Sequence, residues 1–112
     1  MMRGVAVAAL LVSAAQPVMA MPEVLTMTYT CERGVSVPVT YVNAAEGSVA
    51  VLNVEGRQIT LFRTEAASGA RYAWPSDGSG YVWWTKGDET DLFWSDGTSG
   101  EEMPLLSDCK SG

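Results

Sequence analysis

Histidine is absent from the 112 residues, so neither a Ser-His nor a Cys-His nucleophile pair is available. Ser107-Asp108-Cys109-Lys110 spells S-x-x-K, but it sits in a terminal strand and its cysteine is expected in a disulfide. The acidic pairs Asp88-Glu89 and Glu101-Glu102 fall in predicted turns, where solvated charge is the ordinary explanation. Phosphate-binding loops, dinucleotide fingerprints and metal-ligand spacings are absent. These residues recommend no enzyme, no cofactor and no metal. Two small polar groups remain of interest, the hydroxyl of Ser68 and the ammonium of Lys86. They stand at the two ends of the aromatic stretch SGARYAWPSDGSGYVWWTKGD, Ser68 to Asp88.

The element that must position them is a β-hairpin. With Ser76–Gly80 as its turn and Pro75 opposite Tyr81, Tyr72 falls opposite Trp84 and Ala70 opposite Lys86. Ser68 is then a diagonal neighbour of Lys86, at roughly 7–8 Å, on a rim away from the hairpin tip. A bulge would shift this register by one residue. Gly69 and Gly87, beside the pair, let backbone approach a surface closely. Trp83 and Trp84 are adjacent on one strand, so their rings leave opposite faces and at most one fills an interior. Taken singly, Ser68-Gly69 reads as a turn, and Lys86 as a solvated charge salt-bridged to Asp88 or Glu89. The spacing alone supports an exported β-domain with a binding rim.

The rest of the chain is written in the same period. Leu25, Met27, Tyr29 and Cys31 share one face of a strand, with Thr26, Thr28 and Thr30 on the other. A turn at Glu32-Arg33-Gly34 leads into Val35, Val37, Val39 and Tyr41, with Pro38 facing an edge, a bulge or solvent. Further strands are predicted over Ser48–Val54, Gln58–Phe62, Thr90–Ser95 and Leu105–Cys109, separated by turn residues. No segment reads as an amphipathic helix. About eight short antiparallel strands must hide their edges in a closed barrel or a sandwich. The all-β reading favours a small antiparallel eight-stranded barrel, whose interior side chains just fill. Ser76-Asp77-Gly78-Ser79-Gly80 and Ser95-Asp96-Gly97-Thr98-Ser99-Gly100 echo each other after a tryptophan, which turn chemistry explains.

Arg3, an apolar run from Gly4 to Ala15, and small residues at Val18 and Ala20 make residues 1–20 a secretory signal peptide. Position 21 is Met where a lipoprotein would carry Cys, so no lipid anchor is expected. Residues 21–112 then form a single domain, exported to an oxidising compartment. Its two cysteines, Cys31 and Cys109, are expected to pair in that oxidising compartment and to tie the first strand to the last. Two cysteines without histidine make a poor metal site. Without Arg3 the domain has six basic and 13 acidic residues, which disfavours nucleic acid and suits either a basic partner or simple solubility.

Cys31, Ser68-Gly69-Ala70-Arg71-Tyr72, Tyr81-Val82-Trp83-Trp84-Thr85-Lys86-Gly87 and Cys109 together resemble the MliC/PliC family, bacterial membrane-bound or periplasmic inhibitors of c-type lysozyme. The likeness runs from about Tyr29 to Cys109 and rests on the signatures S-G-x-x-Y and Y-x-x-x-T-K-G. It implies a small antiparallel barrel and a strongly basic lysozyme as partner. It also implies that Ser68 and Lys86 enter the lysozyme cleft and contact its catalytic carboxylates, with Gly69 and Gly87 beside them. Tyr72 and Tyr81 complete the two motifs and brace the loops more than they touch the partner. A homodimer is left open. The alternative to inhibition is an envelope binding module for glycan or another protein, stacking through an exposed Trp83 or Trp84.

Overall fold

The period-two alternation folds as eight antiparallel strands, β1 (Glu23–Thr30), β2 (Ser36–Ala44), β3 (Gly47–Val54), β4 (Arg57–Thr64), β5 (Ala70–Ala73), β6 (Gly80–Lys86), β7 (Glu89–Ser95) and β8 (Glu102–Ser111). In this computed structural model the description covers residues 21–112 together with Gly4 and Ala6. Apart from those two positions, the signal peptide expected over residues 1–20 lies outside the described residues. Each strand pairs with its neighbour in sequence, and β8 returns to β1, so the sheet closes as an eight-stranded barrel. Closure shortens the exposed edges that so small a sheet would otherwise carry. The predicted barrel is therefore the observed one. The only other regular piece among the described residues is a single 3₁₀ turn at Glu32–Gly34.

The inner and outer side-chain faces follow the alternation of the strands. Val37, Val39, Ala50, Leu52, Ile59, Leu61, Trp83 and Leu92 point inward and are buried. Fully burying a Leu or Val side chain contributes roughly 1.5–3 kcal/mol, and β-branched and aromatic residues suit the pleated surface that presents them. Trp83 fills the centre. Its ring meets Tyr29 edge-to-face with centroids 5.1 Å apart. Its Nε1–H donates to the Tyr41 hydroxyl at 2.8 Å, and the hydroxyls of Tyr29 and Tyr41 share a further bond of 2.8 Å. Among the described residues no buried side-chain nitrogen or oxygen lacks a partner. Burial, reinforced by the Tyr29 hydrogen bond, holds the Tyr41 hydroxyl pKa well above its ordinary range.

Closure is uneven at the seam. Strand β1 pairs with β2 along its whole length but with β8 only at Tyr29 and Thr30. The disulfide between Cys31 and Cys109 joins the strand ends there, across a sequence separation of 78. A cross-link of that span stabilises by about 4.5 kcal/mol on the chain-entropy estimate. Pro38 lies opposite Thr28 but outside the β2–β3 ladder, which begins at Val39. That position suits a residue with no N–H to donate.

The hairpin register differs from the sequence expectation by one residue. Tyr72 lies opposite Trp83, Arg71 opposite Trp84 and Ala70 opposite Thr85. The cause is Pro75, which has no N–H with which to close a pair. Trp74 closes the ladder in its place, its N–H donating to the Tyr81 carbonyl at 3.1 Å. A one-residue slip exchanges the faces. Tyr72 thus joins Trp83 inside, and Arg71 joins Trp84 outside.

Candidate functional site

An antiparallel barrel gathers alternate connections at each end. One end collects the β2–β3 turn, the β4–β5 connection (residues 65–69) and the β6–β7 turn at Gly87-Asp88. Ser68, Gly69, Lys86 and Gly87 therefore occupy the same end of the molecule, and all four are exposed. The corrected register sets Gly69, rather than Ala70, beside Lys86. A side chain at Gly69 would overlap the Thr85 carbonyl oxygen and lie 3.1 Å from Cγ of Lys86. Gly69 also has φ +69°, in the left-handed region. Its identity is thus fixed twice, by conformation and by contact. Gly87 differs: it has φ +58° in the two-residue turn closed by Lys86 and Glu89, but open space where a Cβ would project.

Ser68 and Lys86 meet through Trp84, which the sequence offers only as a stacking residue of the alternative reading. Trp84 lies on the outer face of β6 and its Nε1–H donates to the Ser68 carbonyl at 3.0 Å. The Lys86 ammonium stands over the same indole, 3.9 Å from the ring centroid. Trp84 and Lys86 are two residues apart on one strand, which puts them on one face. The sequence signal for this contact is the W-x-K spacing itself, which does not depend on the hairpin register. Among the described residues the Ser68 hydroxyl makes no hydrogen bond, and the only ion pairs are Arg33–Glu32 and Arg71–Glu102. Lys86 is therefore not bridged to Asp88 or Glu89. Both groups of the pair present unused hydrogen-bonding capacity to the exterior.

The remaining motif residues separate. Tyr72 is buried, its ring 5.5 Å from that of Tyr41. It lines a cavity of about 590 Å³ in the barrel mouth at the Ser68–Lys86 end, together with Met27, Tyr29, Tyr41, Gly87 and Asp88. Tyr81 packs edge-to-face on Trp94, with centroids 5.1 Å apart, near the far end of β6. About 17 Å of strand separates it from Lys86. The structure does not bring Tyr81 to the rim, and its bracing serves the opposite end. Trp83 is entirely enclosed, so it is not available for stacking on a ligand. The exposed indoles are Trp74 and Trp94. At that opposite end the two echoing turns dock on each other, the Gly97 N–H donating to Ser79 Oγ at 2.9 Å.

Among the described residues no cluster of acidic and cysteine side chains is arranged to hold a metal, and no helix is long and apolar enough to cross a membrane. What the rim does offer is one ammonium and one hydroxyl on an exposed, braced edge, suited to carboxylate oxygens rather than to covalent chemistry.

A family model described as "Membrane-bound lysozyme-inhibitor of c-type lysozyme" matches residues 29–100. A relative from Cupriavidus necator, named membrane-bound lysozyme inhibitor of C-type lysozyme, is 34% identical over 93 residues, covering 80% of this chain and 68% of its own. The solved structure of Pseudomonas aeruginosa MliC in complex with hen egg white lysozyme is similar with a TM-score of 0.62 and 30% identity, over 88% of this chain and 91% of that one. That of PliC from Salmonella typhimurium, a periplasmic lysozyme inhibitor of C-type lysozyme, has a TM-score of 0.65 and 27% identity, over 80% and 99%.

Proposed function

The chain belongs to the MliC family of c-type lysozyme inhibitors, and from that premise we propose that it is a periplasmic inhibitor of c-type lysozyme whose Ser68–Lys86 rim enters the active-site cleft. Its relatives are named as inhibitors and not as enzymes. One observation carries the site assignment. The Lys86 ammonium is exposed, unpaired with any carboxylate among the described residues, and held beside the Ser68 segment.

A retaining glycosidase keeps two carboxyl groups about 5–5.5 Å apart along a sugar-shaped groove. The ammonium, with three donors, forms charge-assisted hydrogen bonds to such oxygens, and the Ser68 hydroxyl adds a shorter-range bond. Together they fill the space of the scissile sugar. The enzyme's own catalytic charges become the inhibitor's anchor, which makes inhibition competitive. Gly69 and Gly87 keep the flanking backbone free of side chains where cleft walls approach. The acidic surface steers a basic enzyme into place and raises the association rate more than the affinity. The Cys31–Cys109 bond fits an exported, oxidising compartment.

The test is clearing of a bacterial cell-wall suspension by a c-type lysozyme. Excess wild-type protein is expected to stop clearing, and full lysozyme activity in its presence sinks the proposal. Lys86→Ala and Ser68→Ala should each restore clearing. If both variants inhibit like wild type, the site assignment fails while the function stands. The exposed Trp74 and Trp94 keep one second reading in view, glycan or protein binding from the far end. It predicts binding to isolated peptidoglycan that survives Lys86→Ala and is lost with Trp74→Ala or Trp94→Ala.

A further inference from the structure

We propose that Trp84 is the positioning residue of the inhibitory pair, its indole N–H fixing the Ser68 segment and its ring face fixing the Lys86 ammonium. This rests on the reading of Ser68 and Lys86 as the groups that enter the cleft. Lysine is a flexible four-carbon stem, and a free one would lose much rotamer freedom on entering a cleft. Here the stem passes along Gly69 and its ammonium sits 3.9 Å from the Trp84 centroid, well inside cation–π range. The same ring closes the other half of the site. Trp84 Nε1–H is the hydrogen bond that ties the Ser68 backbone to β6, at 3.0 Å. One side chain therefore sets the separation of the two working groups.

The ring is itself oriented. Arg71, opposite Trp84 in the ladder, places its guanidinium carbon 5.7 Å from the same centroid. Arg71 in turn is held by Glu102 and by Thr64, to whose hydroxyl it donates at 3.1 Å. Two cations near one ring would repel each other, but Glu102 neutralises Arg71 and leaves Lys86 as the uncompensated one. The arrangement runs Glu102, Arg71, Trp84, Lys86 across the outside of the barrel. It spends the aromatic face on presenting the lysine rather than on binding a ligand, which is why Trp84 is not a glycan platform in this account.

The experiment separates this inference from the functional proposal it rests on. In the free protein, the Lys86 ε-methylene resonances should be shifted upfield by the indole ring current. Trp84→Phe keeps a ring and removes the N–H, whereas Trp84→Leu removes both. The ring-current shift should persist in the first variant and vanish in the second. Lysozyme inhibition should weaken about three-fold with Trp84→Phe and about ten-fold with Trp84→Leu. In a Lys86→Ala background the two substitutions should weaken it equally, an outcome that general loss of stability does not produce. Unshifted Lys86 resonances in the wild type, or a Trp84→Leu effect indifferent to Lys86, overturn the inference. A shifted Lys86 in a protein that does not inhibit lysozyme leaves the Trp84–Lys86 contact standing and removes the function it was proposed to serve.

Discussion

Lys86 and Ser68 carry donors that the fold leaves unspent, and the neighbouring residues explain why. Trp84 offers its ring face to the Lys86 ammonium and its N–H to the Ser68 carbonyl, so neither the ammonium's donors nor the serine hydroxyl is taken up by an internal hydrogen bond. Lys86→Ala is expected to weaken lysozyme inhibition by about 10²-fold, the cost of a charge-assisted pair at a desolvated interface, while the melting temperature stays within about 2 °C. Titration of clearing activity and a thermal melt check both halves. Gly69→Ala should do the reverse in kind. It forces a side chain into φ +69° and against the Thr85 carbonyl, so it should destabilise by more than about 1 kcal/mol and weaken inhibition together. Both residues were legible in the sequence through their motifs. The role of Trp84 was only half legible: the W-x-K spacing puts it on the lysine's face, but its bond to the Ser68 carbonyl depends on the path of the β4–β5 connection, which alternation does not specify.

At the scale of the elements, strand alternation grouped the residues by face, and the fold then buries Tyr29, Val37, Val39 and Tyr41 while leaving Leu25, Met27 and Val35 of the same faces exposed. Alternation does not specify where a hairpin ladder closes. Pro75 moved that closure to Trp74 and Tyr81, which exchanged the inside and outside partners of Tyr72. The interior then required satisfied polar groups, and Tyr41 supplies them between Tyr29 and Trp83. Because burial raises the Tyr41 pKa, the native state keeps its proton where the unfolded chain, with an ordinary value near 10, loses it. Stability from this group is present below about pH 10 and falls by roughly 1.4 kcal/mol per pH unit above it. Alkaline unfolding of Tyr41→Phe should lack that part of the slope, at the cost of about 1–3 kcal/mol at neutral pH for the partners left unpaired. In the β7–β8 turn the sign is opposite. Hydrogen bonds from the Thr98 hydroxyl, then from the amides of Thr98 and Ser99, hold the Asp96 carboxyl below its usual range. The turn should keep these bonds above about pH 3.9 and lose them as the pH falls through the lowered value. Amide exchange at Thr98 and Ser99 reads this directly.

For the whole molecule, the class and the staple were readable because both follow from few residues. A short strand-rich domain must close its edges, and two cysteines in an exported chain have each other as partner. The two motif tyrosines part company, Tyr72 inside the barrel beside Tyr41 and Tyr81 against Trp94. Sequence distance along β6 does not say which end of a barrel a residue serves, and Tyr81 serves the end away from Lys86. Reducing the Cys31–Cys109 bond, or replacing both cysteines with Ser, should lower stability by about 2–4.5 kcal/mol in denaturant titration, while residual inhibition tracks the folded fraction. The acidic surface makes a kinetic prediction. Raising the salt from about 0.05 to 0.5 M should slow association with a basic lysozyme by roughly ten-fold, with a smaller effect on dissociation, as stopped-flow mixing measures.

The central claim is that the Ser68–Lys86 rim occupies the catalytic cleft rather than another surface of the enzyme. The direct measurement is calorimetric titration of this protein into c-type lysozyme, with and without a saturating N-acetylglucosamine oligosaccharide in the cleft. Mutual exclusion is expected, the apparent Kd rising in proportion to the oligosaccharide concentration. An apparent Kd unchanged by the occupied cleft contradicts it.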